Sequence, residues 1–414
     1  MSDRQPAVAV DQTDERLLQT RGVRGALGSF LRSARAGDVG PLPVIIGLLI
    51  IGTIFQSLNP IFLSSRNLVD ISMDSVAVGV ISLGIVCVLL VGEIDLSVGS
   101  VRGFAGAIVA VLFVRDGWNW ILACLVAVGV ALLIGLLYGV LLTKFGMPSF
   151  VSSLAGLLAF LGLQLAILGD QGSINLPFDS ALVRFAQLDF VPAWLSYVLA
   201  ALAALALFAS GYDNMSRRRR ANLSSSSPQA LVVRSVALLI GLELVVWYLN
   251  QGRGVGWMVV FFAALVLLFH YAFTRTGWGR SVMAVGGNVE AARRSGINVR
   301  NIYFSVFALC SMMAAVGGIL AASRLASANL SSGTGDVNLN AIAAAVIGGT
   351  SLFGGRGSAF SALLGVLVIE SIASGLTLLN LNSSYRFVIT GLVLAIAVAI
   401  DSLARKSRAS HGRA

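Results

Sequence analysis

The chain has 414 residues, 57% of them hydrophobic and only 12% charged, with a formal net charge of +10. This composition excludes an ordinary soluble domain and reads as an all-α, polytopic integral membrane protein surrounded by membrane lipid. The histidines, His270 and His411, offer little for imidazole catalysis or a His-rich metal site. The basic excess is spread over short segments between apolar runs, so no nucleic-acid partner is expected.

Residues 1–41 are polar, mix acids with bases and lack the apolar core of a secretory signal, so they are expected to form a cytoplasmic tail. The permease-like apolar body follows at 42–403, and a basic cytoplasmic tail at 404–414. A helix of roughly 20 apolar residues crosses a bilayer core of about 30 Å. Runs of that kind start near Leu42, Met73, Ser100, Trp120, Ser149, Pro192, Leu231, Gly256, Ile302, Leu339, Gly357 and Ser384, giving about 10–12 crossings. The run from Ser100 carries Arg102, and the run from Leu339 is short and ends in GGTSLFGGRG. These two are the candidates for broken or re-entrant segments.

With the N-terminus inside, basic residues gather on the cytoplasmic side: the first 41 residues, Lys144, Arg217–Arg220, the segment 275–300, Arg356 and the residues after Asp401. The alternate loops hold single arginines, Arg66, Arg115, Arg184, Arg253, Arg324 and Arg386. That asymmetry is the positive-inside pattern and places both termini in the cytoplasm. The external loop Asp170–Val191 is long enough to meet an external partner, and Gly211–Ala230 reads as a solvated inner linker. Cys87, Cys124 and Cys310 fall inside apolar runs and read as packing residues. The glycine pairs Gly99/Gly103 and Gly135/Gly139 have the spacing of close helix contacts.

The segment 274–300 interrupts the apolar rhythm, with RTGWGRSVMAVGGNVEAARRSGINVRN at 275–301. Asn288 is placed to cap a short helix, and Glu290 lies in its first turn where the dipole favours an acid. Ala291 follows within it, Arg293 and Arg294 lie in its last turn, and Gly296 is a natural stop before Asn298. A helix of about two turns is marginal alone and needs a partner surface. No GxxxxGK[ST] loop is present, since Gly349–Gly354 runs on into Gly355 and Arg356. No cofactor is therefore expected on this chain, and any ATP is used by a separate subunit.

Three words, GEIDLSVGS at 92–100, AVGGNVEAARRSGINV at 284–299 and AIAAAVIGGTSLFGGRGS at 341–358, occur in this order between apolar runs. In them the chain resembles the sugar permeases of bacterial ATP-binding-cassette importers, the ribose, arabinose and xylose group. The extra pair of runs at 192–250 and the acid Glu93 make it most similar to the xylose type. The resemblance implies a non-enzymatic permease in the bacterial cytoplasmic membrane. It would work as a homodimer with a cytoplasmic ATPase and an extracytoplasmic sugar-binding protein, with the short helix as the ATPase coupling element. Glu93, Asp95, Ser97, Ser100, Asn340, Thr350 and Ser351 are then expected to line or gate the passage, since sugar hydroxyls need both donors and acceptors. Asn340 departs from the family, which usually has an acid there; Arg102 and Glu370 are also outside its pattern. The alternative is an ion-coupled secondary transporter, for which Asp74, Glu243 and Glu370 are scattered carboxylates without a constellation.

Overall fold

The structure, a computed structural model, describes residues 42–399 other than 222, 224–227, 335, 383, 386, 390, 393, 394, 397 and 398. The expected tails at 1–41 and 404–414, and the end of the apolar body at 403, lie outside the described residues. Two compact units emerge: Val191–Val255 belongs to one, and Gly40–Phe190 with Gly256–Lys406 to the other.

The larger unit opens with α1 (Leu42–Leu58) and α2 (Ser65–Leu90), the latter capped by Ser64, whose hydroxyl accepts from the Asn67 amide at 3.3 Å. A loop at 91–97 leads into α3 (Val98–Ala110), which a π-helical turn, Val111–Arg115, extends. Next come α4 (Trp120–Phe145), closed by Gly146 at φ +65°, and α5 (Ser149–Leu168). Arg115 donates to the terminal carbonyls of α5, Ile167 at 3.2 Å and Leu168 at 2.7 Å, setting a cation at the negative helix end. A short strand, β1 (Ser173–Asn175), follows.

The smaller unit holds α6 (Ala193–Arg220) and α7 (Pro228–Asn250), an antiparallel hairpin. Asn250 donates to Ser196 Oγ at 3.1 Å at one end, and Gly211 lies under Leu231 toward the other. The sequence places a solvated linker from Gly211, yet α6 stays helical through Arg220. Asp213 pairs with Arg217 at 3.0 Å, and four arginines at the C-terminal end complement the helix dipole.

Back in the larger unit come α8 (Trp257–Arg275), α9 (Gly277–Gly287), α10 (Val289–Arg294) and α11 (Val299–Leu325). Then β2 (Ser327–Asn329) pairs antiparallel with β1, and a 3-10 turn, Leu330–Gly333, leads to α12 (Val337–Ile347) and α13 (Ala359–Leu378). Among the described residues nine helical stretches are long and apolar enough to cross a bilayer, and α1, at 17 residues, is slightly shorter. The protein is therefore an all-α multi-pass membrane protein. The run assigned from Met73 begins earlier, at Ser65, because Ser64 caps it. The run assigned from Leu339 yields only the 11 residues of α12, about 16 Å of helix, which cannot cross alone. The run from Ser100 is the reverse: α3 with its π turn reaches 18 residues. In the run from Ser384 the described residues Tyr385, Val388 and Leu392 are helical.

Helices α2 and α11 form the core and are wrapped by α3, α4, α8, α12 and α13. Small residues allow this. Gly84 meets the Cys310 backbone, Gly317 meets Ala77 and Ile81, and Gly135 meets Phe307 and Ala308. Outward faces carry Leu125, Leu133, Leu158 and Leu268, as helices facing lipid must.

Helix arithmetic gives the depth of each contact. From Asp70 to Leu90, α2 rises about 30 Å, the thickness of the hydrocarbon core. Gly317 and Gly318 of α11 pack against the middle of that stretch and against Arg102, so Arg102 lies near the midplane. Asp95 sits near Cys310, which faces Gly84. Hence α3 begins inside the membrane, after an irregular inner half at 91–97. α12 also begins there: the Gly99 amide donates to Asn338 Oδ1. The two half-helices start side by side.

Candidate functional site

One end of the bundle is built around α9 and α10. Thr276 caps α9 through its hydroxyl, which accepts from the Gly279 amide at 3.1 Å. Asn288 ends α9 and starts α10, its side chain accepting from the Ala291 amide at 2.9 Å. Glu290 pairs with Arg293 at 2.9 Å and with Arg294 at 3.2 Å, and Gly296 takes φ +83° where the chain turns. Asn298 then caps α11, accepting from the Asn301 amide at 3.1 Å. α10 is six residues long, somewhat under two turns, and Ala292 is its buried anchor. Its charged side chains point into solvent, so the ion pairs add little stability. What they leave is a rigid, exposed elbow.

A tight junction fastens that elbow to α2, and Trp278 of α9 also donates to Ser305 Oγ of α11 at 2.8 Å. Gly286 of α9 lies directly against the Leu90 carbonyl at the end of α2, and Gly355 N–H donates to the same oxygen at 2.9 Å. Gly354 and Gly355, at φ +83° and +74°, hold backbone conformations that favour glycine. The glycine-rich segment after α12 is therefore a contact plate between α2 and α9. Thr350 and Ser351 shape it. The Thr350 amide donates to Ala345 O at 3.0 Å, the Ser351 amide to Arg356 O at 2.9 Å, and Ser351 Oγ accepts from Phe353 N at 3.2 Å.

Deeper in, the loop at 91–97 is pinned by α5. Ser149 donates to Glu93 Oε2 at 2.5 Å and accepts from the Ile94 amide at 3.3 Å, while Ser153 Oγ accepts from the Leu96 amide at 3.1 Å. Asp95 is fully buried and accepts from the Ser97 amide at 2.8 Å and hydroxyl at 2.7 Å; Ser100 donates to Ser97 O at 2.8 Å. Asp95, Ser97 and Ser100 thus hold one another, buried, at the start of α3, while Glu93 is partly exposed. Asn340 is buried and its amide donates to Asp336 Oδ2 at 2.9 Å.

Sequence reasoning missed Ser149 and Ser153. The signal was available: Pro148, then hydroxyl residues at 149, 152 and 153, on a single face at the start of a helix. It also missed Gln164, whose amide donates to Asn329 O at 2.8 Å and clamps the chain beyond β2. Of the scattered carboxylates, Asp74 pairs with Arg324 at 2.9 Å, Glu370 acts electrostatically on Arg102, and Glu243 stands on α7 of the smaller unit. Cys87 and Cys310 are buried and Cys124 half-buried, all free thiols.

Comparison with known proteins agrees with this architecture. Residues 67–398 match the family model described as branched-chain amino acid transport system / permease component. The xylose transport system permease protein XylH of Escherichia coli (strain K12) is 35% identical over 345 residues, covering 83% of this chain and 87% of that protein. XylH of Haemophilus influenzae is 30% identical with 83% and 91% covered. The ribose import permease protein RbsC of Bacillus subtilis (strain 168) is 30% identical over 390 residues, 94% and 97% covered. No solved structure matches the chain.

Proposed function

The chain belongs to the branched-chain amino acid transport system / permease component family, a transport permease and not an enzyme, and on that premise we propose that its cargo is a monosaccharide, D-xylose or another pentose. It moves the sugar inward across the cytoplasmic membrane, with both termini in the cytoplasm. Two copies form the membrane unit, a separate cytoplasmic ATPase binds and hydrolyses ATP, and an extracytoplasmic binding protein delivers the sugar. The chain itself holds no cofactor.

The α9–α10 elbow carries this reading. A capped, exposed, charge-bearing helix beside a glycine junction with the buried α2 is what a cytoplasmic motor needs to grip. When the ATPase closes, α10 moves with its groove and α9 follows as a lever. The Gly286–Leu90–Gly355 junction passes the displacement to α2 and to the plate carrying Thr350 and Ser351. Glu93, latched by Ser149 at the inner mouth, opens or closes the loop that ends in Asp95, Ser97 and Ser100. Asn340 lies where α12 faces that route. ATP binding thereby shifts the balance between outward-facing and inward-facing states.

Proteoliposomes containing the chain, its ATPase and its binding protein test this directly. Labelled xylose should accumulate only with ATP inside and binding protein outside. Uptake driven by a proton or sodium gradient without ATP would overturn the reading and favour ion-coupled transport.

A further inference from the structure

The sequence word with the most acids, GEIDLSVGS, keeps Asp95, Ser97 and Ser100 bonded to one another. A second polar surface lies near the midplane, on the other side of α3. Gly103 carries no side chain there, and the backbone of Gly333 packs into the space; Gln164 amide bonds to the Asn329 and Leu330 carbonyls keep that segment in place. The segment is rich in hydroxyl, amide and carboxyl groups and runs beside Arg102, which donates to the Ser332 carbonyl at 3.2 Å. Asp336 and Glu370 are the two carboxylates whose charges act on that guanidinium. Its buried Nε has no hydrogen-bond partner among the described residues.

Arg102, Ser332, Asp336, Asn338 and Glu370 are each partly exposed, and Thr334 is exposed. Charged and polar side chains exposed at that depth cannot face hydrocarbon; such residues line water-filled passages. The pattern also suits a polyol. A guanidinium fork donates two hydrogen bonds to adjacent hydroxyl oxygens, and carboxylates and amide oxygens accept from the hydroxyl hydrogens.

Resting on the transport reading above and deepening it, we propose that Arg102, Asp336, Asn338 and Glu370 form a midplane site that contacts the sugar in transit, with Thr334 on the wall of the same aqueous passage. None of the family words supplies these four residues. They meet because α3 and α12 both start within the membrane, each beside the other's irregular flank.

The experiment uses the reconstituted complex of permease, ATPase and binding protein. Thr334→Cys, treated with a small membrane-impermeant thiol reagent, should react in at least one state of the ATP cycle and lose uptake by about tenfold or more, while binding-protein-stimulated ATP hydrolysis persists. Arg102→Gln should likewise lower uptake about tenfold with complex assembly retained, and Arg102→Lys should also assemble without restoring the KM for uptake, because an ammonium lacks the fork. The proposal falls if T334C never reacts, if it forms a disulfide-linked dimer in place of reacting, if its modification leaves uptake intact, or if R102K transports like the parent. Failure of the parent complex itself to import sugar with ATP sinks the transport reading instead, so the two outcomes separate.

Discussion

Substituting Gly286 with alanine should uncouple the elbow from the membrane core. A Cβ there would lie 2.6 Å from the Gly355 nitrogen and 2.8 Å from the Leu90 carbonyl carbon, and closer still to the Leu90 oxygen. All three are backbone atoms, so no side-chain rotation relieves the clash. The junction must open by about an ångström, which overpacking studies place at roughly 1–3 kcal/mol. The Gly355 to Leu90 hydrogen bond, 2.9 Å long, is lost with it, at about 1 kcal/mol net. Together these amount to roughly 2–4 kcal/mol at the one contact joining α9, α2 and the glycine plate. Gly287 supplies the control, because a Cβ there meets nothing within 4 Å and alanine is the better helix former. The assay is sugar imported per ATP hydrolysed in proteoliposomes. Gly286→Ala should lower that ratio about tenfold or more while the complex still assembles and hydrolyses ATP; Gly287→Ala should leave it unchanged. Equal behaviour of the two variants, both coupled like the parent, would refute the lever.

Reversing Arg293 and Arg294 to glutamate should leave insertion and thermal stability intact, since both are exposed surface pairs, but should reduce co-purification of the ATPase; undiminished co-purification would remove α10 as the grip. Ser149→Ala should weaken the latch on the 91–97 loop by about 1–3 kcal/mol, read as a lower melting temperature and a leak of sugar without ATP, with Ser149→Thr close to the parent. On the outer side, the segment 170–191 cannot simply be shortened to test binding-protein docking, because β1, Val183 and Ala186 are structural. Asp170→Lys with Asp179→Lys, both exposed, should instead raise the binding-protein concentration needed for half-maximal uptake, and an unchanged value would exclude that docking role.

The inner elbow was legible almost residue by residue, because capping is local: Asn288, Glu290, Arg293, Arg294 and Gly296 each act within about one turn of their own position. Membrane-crossing helices were legible for a similar reason, as lipid leaves no other solution for an apolar run. The depth of α3 was not. Apolarity records that Val98–Arg115 avoids water, but only its contacts with α11 reveal that it starts partway through the bilayer. Glycine spacing was half-informative. Gly135 and Gly139 pack against α11 as the spacing implies, whereas Gly99 admits Asn338 at the start of α12 and Gly103 admits Gly333 of the 3-10 turn, both far off in sequence. The role of Ser149 was hidden too, since its partners Glu93 and Ile94 lie more than fifty residues away.

The two half-helices also bear on how a push at the inner face can open a passage without breaking the core. α3 is irregular on its inner side and α12 on its outer side, so at every depth one of the two is helical and the other is not. Irregular backbone at membrane depth persists only where protein or water satisfies it, and each irregular stretch here is held by a few side-chain bonds: Ser149 and Ser153 for the inner, Gln164 and Arg102 for the outer. Such stretches are the softest parts of an otherwise close-packed bundle. Helices α2 and α11, locked by backbone contacts at Gly84 and Gly317, are the stiffest. A displacement entering through Gly286 is expected to strain the loop at 91–97 first and to reach the segment before α12 through contacts that include Arg102 and Asn338. If those contacts carry the signal, a variant that cuts the Gly99–Asn338 bond, Asn338→Ala, should leave ATP hydrolysis no longer stimulated by the loaded binding protein. Retained stimulation in that variant would mean that the signal crosses the membrane along α2 and α11 instead.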